Sequence, residues 1–209
     1  MSKYARTLLA LVAATVLLSA LVSSASAGRL STTSRNVRAT WASMEFIEPL
    51  GTTVRCPVTL EGSFHSATMA KVVDALVGHI SRATLNNAVC SGGTGTILQA
   101  SLPWHIRYVG FMGTLPNITA LRTVAIGMGF RAAGSFGNCL FLTTTLQPST
   151  GQLNRNATTR SLTSVTAGGT ITSSENCGPF GERITARLGG TSTSLTVLGS
   201  TTLITVTLI

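Results

Sequence analysis

Acidic residues are few. The 209-residue chain carries six Asp and Glu against 15 Lys and Arg, a formal net charge of +9. Charged side chains make up only 10% of the sequence and hydrophobic ones 44%, the reverse of what keeps a chain disordered. Lysine occurs only as Lys3 and Lys71, which excludes a coiled coil built on Glu/Lys heptads. One apolar run alone approaches the roughly 20 residues of a spanning helix, so a polytopic helical membrane protein is excluded. The acids Glu45, Glu48, Glu61, Asp74, Glu175 and Glu182 offer little material for the carboxylate pair of a glycosidase. Two Trp and few Tyr are also too few to line a sugar cleft. The nucleophile elbow G-x-S-x-G, the metalloenzyme motif H-E-x-x-H and any C-x-x-C pair are missing, and no internal repeat of fixed period occurs.

The N-terminus has the form of an export signal. Lys3 and Arg6 precede an apolar stretch from Leu8 to Val22, and Ala25-Ser26-Ala27 supplies small residues where a signal peptidase reads them. Residues 1–27 are therefore assigned as a signal peptide cleaved after Ala27, with no transmembrane segment left after its removal. The remaining 182 residues hold 13 basic and six acidic side chains, a net charge of +7. Cys56, Cys90, Cys139 and Cys177 all fall in this part. An even number of cysteines in an exported chain reads as disulfides rather than a metal site. Nearest-neighbour pairing, Cys56–Cys90 and Cys139–Cys177, closes the shorter loops.

After residue 27 the chain contains 31 Thr, interleaved with Val, Ile and Leu in the manner of half-buried strands. Ile204, Val206 and Leu208 alternate with Thr205 and Thr207; Val54–Leu60 and Trp104–Tyr108 repeat the pattern. Further strands are expected near 38–47, 94–101, 119–132, 139–146, 159–166, 182–188 and 194–198, separated by turns that include Ser91-Gly92-Gly93 and Gly189-Gly190. This predicts a mainly β fold: a single antiparallel β-sandwich or barrel-like domain over 37–209, after a flexible segment at 28–36. Met69, Val72, Val73, Leu76, Val77 and Ile80 also fit one face of a short helix near 66–80, although strand alternation is readable there too. The polar run 147–158 reads as a mobile loop.

Chemistry-bearing residues are sparse. The Trp104–Tyr108 strand places Trp104, Ile106 and Tyr108 on one side and His105 and Arg107 on the other. Trp104, His105, Arg107 and Tyr108 are the candidate binding residues. Glu61 and His65, four apart, share a strand face that His79 and His105 could join, which gives the pattern of an unfamiliar hydrolase site. No catalytic set, metal site or cofactor is assigned. The arginines are spread singly, against specific nucleic-acid binding. Net charge points instead to acidic envelope polymers. The expected function is an exported, non-catalytic structural or binding β domain of the envelope or extracellular space. A secreted hydrolase at Glu61, His65 and His105 is one alternative and an outer-membrane β-barrel another. Intact-mass measurement of the exported protein should give a chain starting at Gly28; a species retaining Met1–Ala27 would overturn the signal assignment.

Overall fold

The structure, a computed structural model, describes residues 29–48, 51, 53–86, 89–115 and 117–209; the expected signal peptide at 1–27 lies outside them. The strands are β1 (Arg29–Thr32), β2 (Asn36–Ile47), β3 (Thr53–Phe64), β4 (Thr68–Ala70), β5 (Leu76–Leu85), β6 (Thr94–Ile97), β7 (Trp104–Thr114) and β8 (Asn117–Ile126). They continue with β9 (Gly129–Gly134), β10 (Gly137–Leu142), β11 (Ser149–Arg155), β12 (Ser161–Thr172), β13 (Thr185–Thr191), β14 (Ser194–Val197) and β15 (Ile204–Leu208). All pairings between these strands are antiparallel.

Eight strands form a closed ring in the order β11-β8-β7-β5-β3-β2-β13-β12, and β12 pairs back to β11. The period-2 pattern decides what faces inward. Across β2, β3 and β5, Ala39 faces Leu60 and Leu60 faces Ala83; one position on, Arg38, Glu61 and Arg82 form an outward ladder. Outside β11 and β12, Asn154 Nδ2 donates to Ser164 Oγ at 3.0 Å and to Thr166 Oγ1 at 3.1 Å. An apolar interior and a polar wall are the reverse of an outer-membrane barrel, so that alternative is set aside.

Additional strands complete the two ends. At one end β1 lies between β15 and β4, and Leu30, Met69, Ile204 and Val206 join the core of Ala39, Tyr108 and Leu162. Arg155 is buried there, its Nη1 donating to Ile118 O at 2.6 Å and its Nε to Val206 O at 3.2 Å. Loss of hydration, with the charge of Arg160, pulls its guanidinium below the usual arginine range. At the other end, the sheet β10-β9-β6 covers Phe46, Val54, Cys56 and Leu188. Phe46 meets Phe141 edge-on with centroids 4.4 Å apart, and Phe130 at 5.5 Å. Cys56–Cys90 and Cys139–Cys177 are both formed, as nearest-neighbour pairing predicts. They close loops of 34 and 38 residues, each contributing about 3–4 kcal/mol in the chain-entropy account.

Four local expectations are corrected. No helix forms over 66–80: the segment gives β4, a turn and β5. A helix there would need its Val72, Val73 and Leu76 face covered, yet these are exposed, while Val77 is buried. Asp74 takes φ 64°, which interrupts a right-handed helix, and β5 gains two neighbours, β3 and β7. Gly78 crosses β3 so closely that a Cβ would lie 2.6 Å from Ser63 O. The 28–36 start contains β1, hydrogen-bonded on both edges. The 147–158 run contains β11, the strand that closes the ring. Gly189 and Gly190 continue β13 rather than ending it.

Trp104 and Tyr108 are buried and His105 exposed, the expected sidedness of β7. Trp104 packs on Ala83 and Met128, and its Nε1 donates to Ser101 Oγ at 2.8 Å. Trp104→Ala should cost about 3–5 kcal/mol in urea unfolding. His105→Ala should stay within about 0.5 kcal/mol; equal costs would contradict this packing. Alkylation of unfolded, unreduced protein should label no cysteine, and labelling of all four would refute the pairing.

Candidate functional site

The three histidines come together on the outer wall of β3, β5 and β7. Ser63 faces His79 across β3 and β5, and His79 faces His105 across β5 and β7. His65 follows the last residue of β3; its N–H donates to Val77 O at 3.0 Å, and its ring lies 5.4 Å from that of His79. Sequence spacing suggested this gathering, but only the register creates it. Two bulges in β5, opposite Glu61/Gly62 of β3 and between Leu76 and Gly78 facing β7, set the register in which His79 points outward while Gly78 and Ile80 face in.

Glu61 does not act with these histidines. Its carboxylate accepts from Arg38 Nε at 2.8 Å and lies 3.6 Å from Arg82 Nη1, so two guanidinium groups hold it. Two other acids are also tied: Glu45 to Arg55 at 2.8 Å and Glu175 to Arg131 at 2.7 Å. Asp74 sits in the exposed turn before β5, where its N–H donates to Tyr108 O at 2.8 Å. Among the described residues no group of three His, Cys, Asp or Glu is placed to hold a metal ion. The surface thus offers imidazoles without a carboxylate to orient them, which is poor geometry for acid–base hydrolysis.

Positive charge is what this wall does present. Arg107 stands two residues beyond His105 on β7, between Leu76 of β5 and Val124 of β8. Its Nε is shielded from solvent and has no hydrogen-bond partner, and no carboxylate pairs with it among the described residues. Arg122, exposed on β8, lies two residues from Val124 and faces Gly110 and Gln152. At the histidine end, Arg35 Nη1 donates to His65 O at 3.4 Å. Lys71 Nζ lies 5.6 Å over the Phe111 ring.

Of the four candidate binding residues, His105 and Arg107 belong to this wall. Trp104 and Tyr108 lie in the core, and burial raises the Tyr108 hydroxyl above the usual tyrosine value. Arg35, His65, His79 and Arg122 join His105 and Arg107 only through cross-strand pairing, which spacing along the chain does not encode. Compared with family models, with curated proteins and with solved structures, the chain matches none.

Proposed function

We propose that the chain is exported through its N-terminal signal and acts outside the cytoplasm as a non-catalytic binding domain for an anionic envelope polymer. Two disulfides point to an oxidising, extracytoplasmic location, and the β domain they tie together has the rigidity of a binding scaffold. The observation that carries the reading is the Arg107 wall. Arg107, Arg122 and Arg35 line β7, β8 and the His65 end, while Glu45, Glu61 and Glu175 are neutralised by other arginines. Guanidinium groups without internal carboxylates suit repeated phosphate or carboxylate groups on a flexible chain. The flanking imidazoles add hydrogen-bond donors. Trp104 and Tyr108 support this surface from beneath and do not touch the ligand.

Retention on an immobilised polyphosphate resin separates a defined face from diffuse charge. Arg187 is the control, exposed on β13 and facing Ile47 of β2. Arg107→Ala should elute at clearly lower salt than Arg187→Ala, with both variants folded as judged by circular dichroism. Equal losses would leave only net charge and remove the case for this surface.

A further inference from the structure

We propose that the barrel interior is a second binding site, for one small uncharged apolar molecule about the size of benzene. Inside the ring lies a cavity of about 120 Å³ that is partly open rather than sealed. An eight-stranded barrel is just wide enough to be filled by side chains or to hold one small ligand. Here the sequence leaves the filling incomplete. Ala39, Ala125 and Ala167 line the cavity and each places only a methyl group where a larger side chain would close it, while at Gly62 and Gly78 the strands cross too closely for any Cβ. In consequence Leu60, Ile106 and Val165 face inward yet remain only partly buried. In another protein, an engineered apolar cavity of about 150 Å³ stays dry and takes up benzene or xenon.

The lining also sets the chemical class. Its polar side chains are bonded to the barrel's own carbonyls: Thr123 Oγ1 donates to Gly151 O at 3.1 Å, Ser149 Oγ to Gly168 O at 3.2 Å and Trp41 Nε1 to Gly190 O at 3.4 Å. Glu61 and His79 border the cavity, but the Glu61 carboxylate is held by Arg38 and Arg82 and the His79 ring lies against His65. A ligand hydroxyl or charge entering this space would lose water and find no partner. A single aromatic ring or a compact branched hydrocarbon fits the volume; a long acyl chain does not. This site is separate from the Arg107 wall.

Titration with benzene and with phenol, followed by methyl NMR and by Tm, tests the proposal on the whole domain. Benzene should shift the methyl resonances of Ile106, Leu153 and Val165 and raise Tm, and phenol should bind at least tenfold more weakly. Ala125→Leu should weaken benzene binding tenfold or more while retention on polyphosphate stays unchanged. Ala167→Val, a smaller filling change on a different strand, should act in the same direction. The proposal is overturned if interior methyls do not move up to the solubility limit of benzene, if phenol binds equally well, or if folded filling variants bind benzene as before.

Discussion

Strand β12 must bond to β11 along one edge and to β13 along the other, and in doing so it closes the ring. Closure fixes the register of every strand in the circuit, because a one-residue slip would turn an apolar row outward and a polar row inward. It also removes the open edges through which a flat sheet of this size would pair with other chains. The bulges at Trp41/Met44, Glu61/Gly62, Leu76/Gly78 and Tyr108/Gly110 let long strands bend around the barrel without losing that alternation. The outer histidine and arginine wall and the inner cavity are two faces of this one constraint. Each row of residues that lines the cavity has a neighbouring row exposed outside.

The disulfides act where that constraint is weakest. Strands β6, β9 and β10 are four to six residues long and form a sheet that the ring does not include. A small sheet gains stability only by packing on something else. Its aromatic residues Phe130 and Phe141 rest on Phe46, and a covalent tie enters from each side. Cys56 of β3 holds Cys90, just before β6, and Cys139 of β10 holds Cys177 in the segment between β12 and β13. Loss of the oxidised state would therefore loosen this cap first.

Much of this architecture is legible in the sequence, where side-chain chemistry and strand period agree. The Ile204–Leu208 alternation, the sidedness of Trp104 and Tyr108, and the cysteine pairing all follow from local pattern. The pattern misleads in β5 and β11. In β5 the two bulges break the period of two, and the surviving spacing imitates a helix. In β11 the inward positions are Ser149, Gly151 and Leu153, too small and polar to register as a core row, although Leu153 is buried. Those same small residues belong to the cavity lining. The candidate site was harder to read, since its members lie on or beside five strands and meet only after the ring is closed.

The pairing of β1 with β15 has a mechanical consequence. Arg29 and Ile209 exchange backbone hydrogen bonds at 3.3 and 3.0 Å, so the two ends of the described chain lie side by side on antiparallel strands. Tension applied across these ends would load that ladder one bonded pair at a time, as in opening a zipper, rather than shearing many pairs together. The first yield would peel β1 and β15 away and uncover Leu30, Ile204 and Val206. Stretching further into the chain would meet the two covalent loops, whose 34- and 38-residue spans cannot lengthen while their sulfur bridges hold. Under load the molecule would give way softly at its ends and resist at its cap.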